Sequence, residues 1–283
     1  MESRPGLFRQ KKNKKSSLAQ PQQKIVKELF PLPVFDGFIG FNCRTYAIAS
    51  VMRWLYETKR ITQAPFPARK KDFIDYTGLS LRKIAKNKYH SAVGEIYNIE
   101  DLAALAEENQ DISAKYVTCS SENDYINLII DAINANQAPV VFFDVCIQTG
   151  LPNKFNGKYE HAAVVVGYTI HPDKTVTFKV GQWETYYEFN AIDLYQSSAQ
   201  LNVEHEPSSY FKVKSRSKRY NGRSAWVSSA SEIQDNIDGS RVIGVKRATS
   251  PTTNGGYAKT VLVLQDEIRH ELSLKNKRLR KSE

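Results

Sequence analysis

Two residues 118 positions apart, Cys43 and His161, are of the types that could do chemistry together. A glycine-bearing loop (Gly37, Gly40) ends at Asn42-Cys43, and Ala47, Ile48, Val51 and Leu55 then recur at helical spacing as one apolar face. With Asn42 as the N-cap, Cys43 falls on the first helical position. Backbone N–H groups without partners and the positive end of the helix dipole favour a thiolate there, so the thiol pKa is expected to fall. Alone, a cysteine on an apolar helix reads as packing. A nucleophilic thiol also needs a base, and histidine is the side chain whose pKa suits that task. Of the five histidines, His90, His171, His205 and His270 stand in polar or charged surroundings and are expected on the surface. His161 instead opens the apolar run Ala162 to Val166 after a glycine-containing loop, which puts it at the mouth of a sheet, held yet reachable.

The elements that must position this pair follow from the pattern around them. Residues 1–24 are polar and basic without periodicity and read as a disordered arm. Ile25 to Phe35 is an extended, proline-broken lead-in. After the Cys43 helix, Phe73 to Gly78 and Leu79 to Ala85 read as two short helices with Gly78 as the stop, and Asn98 to Asn109 as a stronger helix capped by Asn98 with Asp101 at its third position. Ile112 to Thr118 alternates as a strand, and Glu122 to Asn136 repeats at helical spacing. Ala138 to Val145, Tyr159 to Ile170, Thr175 to Val180 and Thr185 to Phe189 read as strands. The expected class is α+β, a helical N-terminal half with Cys43 packed on a C-terminal antiparallel sheet with His161.

The last 80 residues carry no motif of their own. Tyr210 to Lys214, Ser224 to Val227, Arg241 to Arg247 and Ala258 to Leu264 read as strands, either added to the same sheet or forming a small appendage. A basic helix is expected from about Gln265 to Arg280. The division expected is a basic arm over 1–24, a catalytic body over 25–205 and a β-rich extension over 206–283.

Composition and charge narrow the classes. At 283 residues, with 41% hydrophobic and 25% charged residues, the chain suits a soluble globular protein with a sizeable core. No apolar run approaches the roughly 20 residues of a membrane span, and the first residues lack the apolar core of a secretory signal. Three cysteines without paired spacing argue against a disulfide framework or a zinc ribbon, so a reducing compartment is expected. Cys119 and Cys146 read as packing residues. No phosphate loop, His/Cys cluster or calcium loop is present, so neither metal nor cofactor is expected. The net charge of +10 is concentrated: residues 1–24 carry +6 and residues 212–223 another +6, which leaves the rest near neutral. An arm and a local patch of this kind point to an anionic surface or nucleic acid as a possible contact, not to a nucleic-acid fold.

A Cys on the first turn of a helix, followed at this distance by a His opening the strand His161-Ala-Ala-Val-Val-Val-Gly-Tyr168, resembles the papain-like cysteine peptidase superfamily. The second half, with a helix over Tyr125–Asn136, the Pro139-Val-Val strand, the His161 strand ending Gly167-Tyr168 and the strand pair Val176–Phe189, is similar to the bacteriocin-leader (double-glycine) peptidase-like branch and to papain-like proteases that bacteria inject into host cells. The resemblance spans about residues 36–200. It implies Cys43 as nucleophile, His161 as base and a third residue after the His strand that orients the imidazole. The family's Asn or Asp falls on Gly181 or Gln182 here, so Gln182 ranks first and Glu184, the nearest carboxylate, second. No Gln lies between Gln23 and Cys43 to serve as the family's oxyanion donor. Asp36 occupies its approximate place, and Asn42 beside the Cys43 backbone N–H takes the role.

The reading that follows is a thiol-dependent acyl-transfer enzyme, in its simplest form a cysteine peptidase acting on a protein or peptide through a thioester. A deamidase, transglutaminase or transacylase would share that intermediate. The missing Asn/Asp and Gln also suit a non-catalytic papain-like binding module, and the charge distribution a nucleic-acid or membrane-surface protein. The location expected is the cytoplasm, or a host cell reached by signal-peptide-independent secretion.

Overall fold

Helices and strands are mixed in one antiparallel architecture, seen in a computed structural model that describes residues 24–29, 43–63, 73–201, 209–214, 224–227, 241–247 and 257–266. The elements are β1 (Ile25–Glu28), α1 (Cys43–Glu57), α2 (Phe73–Lys88), α3 (Ile99–Ala106), β2 (Ile112–Thr118), α4 (Glu122–Asn134), β3 (Pro139–Val145), β4 (Pro152–Asn153), β5 (Glu160–Ile170), β6 (Val176–Gln182), β7 (Thr185–Asn190), α5 (Ala191–Ala199), β8 (Ser209–Lys214), β9 (Ser224–Val227), β10 (Arg241–Arg247) and β11 (Thr260–Asp266). The α+β expectation holds. Residues 1–23, Asn42, most of the 212–223 patch and residues 267–280 of the expected terminal helix lie outside the described residues.

The main sheet runs β2-β11-β3-β5-β6-β7, with β1 added to β5 and β4 to β3, and every pairing is antiparallel. Its centre is β3 and β5. Every residue of β3 is buried, as are His161 to Tyr168 of β5, because α1 covers one part of this sheet and α4 and α5 others. That double covering explains why both strands read as continuous β-branched and aromatic runs instead of alternating. The apolar face of α1 lies where its periodicity put it, with Ala47, Ile48, Val51 and Leu55 in the core.

Four differences from the sequence reading have physical causes. First, Gly78 does not stop a helix: α2 is continuous from Phe73 to Lys88. One interior glycine costs about 1 kcal/mol, which the burial of Leu81 and Ala85 further along outweighs. Second, α5 had no expected counterpart. It is made by its cap, Asn190 accepting from the Ile192 and Asp193 N–H groups, and buries Ala191, Leu194, Ser197 and Ser198, a face too polar to stand out. Third, the lead-in at Ile25 is a strand, paired with Tyr168 and its neighbours on β5.

The fourth concerns the end of the chain, which divides into both expected forms. β8, β9 and β10 make a separate three-stranded sheet. β11 instead sits inside the main sheet between β2 and β3, with Val261, Leu262 and Leu264 fully buried. The body over 25–205 therefore takes a strand from the 206–283 extension. Gln265 is in that strand and not at the start of a helix.

Candidate active site

Cys43 is the first residue of α1, and His161 the second of β5. Both line one cavity, together with Tyr46, Ala47, Ser50, Gln182 and Trp183. Antiparallel pairing sets the positions on the sheet: His161 stands opposite Phe143 on β3, and Gly181, next to Gln182, stands opposite Val164 on β5. The imidazole is enclosed by aromatic rings. Phe143 meets it edge-on at 5.7 Å and Trp183 lies 5.3 Å away at a 49° tilt. His161 is thus 7% exposed, more covered than a residue at the mouth of a sheet was expected to be.

Gln182 reaches this cavity and Glu184 does not. Its amide nitrogen donates to the Gly150 carbonyl at 2.6 Å, which fixes the orientation of the amide. Its Oε1 and the His161 Nε2 are both buried without a hydrogen bond of good geometry, yet the Gln182 side chain is close enough to favour the charged imidazole. An amide oxygen and a ring N–H are complementary in kind. Gly150 is suited to its task by a φ of +74° and by space, since a Cβ there would lie 2.5 Å from the Tyr187 ring. Asp144 holds the same loop, accepting from the N–H groups of Phe155, Gly157 and Tyr159. Glu184 is exposed in the turn between β6 and β7, where it and Trp183 both have positive φ. Asn42, expected at the oxyanion site, lies outside the described residues.

The electrostatics reverse one expectation. The Cys43 thiol is not lowered but pushed up to about 12, first by burial and then by the Glu95 carboxylate, against opposing pulls from Arg44 and the Ala162 backbone. Carboxylate and desolvation outweigh the helix-terminus effect, because Glu95 already occupies that terminus. The His161 imidazole is pulled down to about 3, first by burial and then by the charge of Arg44. The resting pair at neutral pH is therefore a thiol and a neutral imidazole.

A buried ion cluster beside the thiol was not anticipated from the sequence. Arg44 is 1% exposed and bonds Glu95 Oε1 through Nη1 at 3.1 Å and Glu160 through Nη2. Its guanidinium lies 4.6 Å from the Tyr97 ring centre and 4.7 Å from that of Tyr257. Glu95 Oε1 also accepts from the Arg44 backbone N–H at 3.0 Å and from the Cys43 thiol at 3.8 Å. The one available signal was Arg44 itself, a cation next to the nucleophile on an otherwise apolar helix.

The other two cysteines separate. Cys119 is buried, as packing requires; Cys146 is half-buried in the turn after β3, donating to Gln148 Oε1 at 3.1 Å. Among the described residues no cluster of His, Cys, Asp or Glu could hold a metal ion, and no helix is long and apolar enough to cross a membrane.

Residues 70–169 match a family described as actin maturation protease-like, C-terminal domain. Over that stretch the chain is similar to a peptidase family. The match contains Glu95, Glu160 and His161 and stops short of Cys43 on one side and Gln182 on the other. Among solved structures, a Bacillus anthracis protein described as a C39-like peptidase is 13% identical, covering 59% of this chain and 92% of its own, with a TM-score of 0.35. No curated protein matches.

Proposed function

We propose that this chain is a cysteine peptidase in which Cys43 is the nucleophile and His161 the general base. The observation that carries the reading is the meeting of these two residues in one cavity, from the start of a helix and the start of a central strand. The peptidase-like match over residues 70–169 supports a protein or peptide substrate.

The chemistry starts from neutral groups. As Cys43 Sγ attacks the scissile carbonyl carbon, its proton passes to His161, and the carbonyl oxygen takes up the negative charge. Collapse to a thioester expels the amine, which leaves with the proton His161 holds. Water then attacks the thioester, giving a proton to His161, and thiol and acid are released. Gln182, held by Gly150, favours the tautomer with the proton on Nε2, which leaves Nδ1 free as the base. The Cys43 backbone N–H and Asn42 are proposed as the oxyanion donors. The same thioester would serve a deamidase or transferase with another acceptor.

A second reading, a non-catalytic module that binds a partner in this cleft, draws on the high thiol and low imidazole pKa values. One experiment decides. Peptide libraries are incubated with wild type, Cys43→Ala and His161→Ala, and cleavage or deamidation is read by mass spectrometry. Cysteine- and histidine-dependent product is expected. Binding without product in the wild type would favour the second reading.

A further inference from the structure

The carboxylate beside the sulfur has a particular construction. Glu95 contributes one oxygen, Oε1, to three donors: the Arg44 backbone N–H, the Arg44 Nη1 and the Cys43 thiol. Its side chain is fully buried. It is delivered by a loop shaped for the purpose. Gly94 has a φ of +87°, and a Cβ on it would meet the Arg82 carbonyl at 2.8 Å. Ser91 Oγ accepts from the Gly94 N–H and donates to the Glu95 carbonyl, while Arg82 Nη2 donates to the Val93 carbonyl. Helix α2 braces the loop, and the loop and the first turn of α1 meet at one oxygen.

We propose that Glu95 is a positioning residue for Cys43, its carboxylate fixing the thiol and the first turn of α1 in the resting geometry and keeping the proton on the sulfur. This rests on Cys43 being the nucleophile, but its test does not need substrate turnover. The first turn of a helix would ordinarily lend positive potential to a thiolate. Here that potential is spent on Glu95. The charged and titratable groups around the sulfur are Arg44 on α1, Arg82 on α2, Glu95 and Tyr97 on the loop, Glu160 and His161 on β5, and Tyr257 before β11. Burial holds both tyrosines neutral and pushes the Glu95 carboxyl up, while Arg44 and the more distant Arg82 favour its charge; the two cations face Glu95 and Glu160. A thiolate would add a third negative charge unless its proton stayed close by on His161. Ionisation of Cys43 is thereby tied to the proton transfer that accompanies attack, which would spare a reactive sulfur from alkylation and oxidation while no substrate is bound.

The test is the pH dependence of Cys43 alkylation by iodoacetamide in the full chain, with peptide mass mapping to separate Cys43 from Cys119 and Cys146. Glu95→Gln keeps an acceptor for the Arg44 N–H and removes the charge, so its alkylation midpoint is expected to fall by about one pH unit or more. Glu160→Gln, which touches Arg44 and not the sulfur, is expected to shift it less. An unchanged midpoint in Glu95→Gln, or an equal shift in Glu160→Gln, would overturn the proposal and point to a helix cap alone. The wild type gives an independent check that no variant's folding can obscure: a midpoint at or below the free-thiol value of about 8.5 overturns it as well. If Cys43-dependent cleavage persists alongside either result, this proposal fails and the peptidase reading stands.

Discussion

Arg44 and Glu160, the chain neighbours of Cys43 and His161, form a part-buried ion pair that ties the first turn of α1 to the start of β5. The two elements that bring a thiol and an imidazole together are thus joined one residue away from both. Glu95 completes the cluster from a third element.

Breaking that cluster from the cationic side should be costly. Arg44→Met leaves Glu95 buried and Glu160 half-buried without their partner and is expected to destabilise the fold by about 3–5 kcal/mol, measured by chemical denaturation. Adding Glu95→Gln to Arg44→Met should recover part of the loss, because the stranded charge is removed with it. A double variant as unstable as the sum of the singles would contradict this coupling.

The buried imidazole gives stability a pH dependence of known sign. His161 protonates near 6.5 in the unfolded chain and at about 3 when folded. Its contribution is complete above 6.5 and is lost as pH falls through that window, by up to about 1.4 kcal/mol per pH unit. His161→Gln should therefore show a flatter acid limb than wild type when unfolding free energies are compared between pH 6.5 and 3. Cys43 acts at the alkaline end, where its contribution is present below about 9 and lost as pH rises toward about 12.

Gly150 is expected to tolerate no side chain. Gly150→Ala combines a positive φ with a contact on Tyr187 and should cost about 1–3 kcal/mol in thermal or denaturant unfolding. It should also lower cleavage, since the Gly150 carbonyl holds Gln182.

Gln182→Ala removes the group that faces the His161 ring. If Gln182 orients the imidazole, kcat is expected to fall about a hundredfold with KM little changed. Glu184→Ala should leave both constants at wild-type values, as its side chain is in solvent. The opposite ranking would return the third role to Glu184.

A chain ending at residue 256 should not unfold cooperatively. It lacks β11, which separates β2 from β3, and Tyr257, whose ring packs against Phe142 and Arg44. Circular dichroism melting checks this directly. It lacks Asp266 as well, whose carboxylate pairs with buried Arg60 just past the end of α1.

The sequence made the local elements legible where period and capping agreed. α1, α4 and β5 fall at or within a residue or two of their expected limits, because each has either a cap or a long apolar run; β2 and β9 do so on their β-branched and aromatic residues. Elements whose stability comes from distant partners were harder to read. α5 presents Ser197 to β3, and β11 owes its place to strands more than a hundred residues earlier. Cys43, His161 and Gln182, singled out in the sequence, line one cavity, but their electrostatics could not be read there. A pattern can show that Cys43 starts a helix; that Glu95 reaches the same turn depends on a glycine bend 51 residues downstream.

The placement of β11 also fixes when the main sheet can be completed during synthesis. Residue 43 leaves the ribosome long before residues 257–266, yet the main sheet lacks an inner strand, and Arg44 one of its two aromatic walls, until that late segment arrives. At about 5–20 residues per second, the more than two hundred residues between them take on the order of ten seconds or more. The nascent chain is therefore without a closed main sheet, and Arg44 without its Tyr257 wall, until that segment has been made.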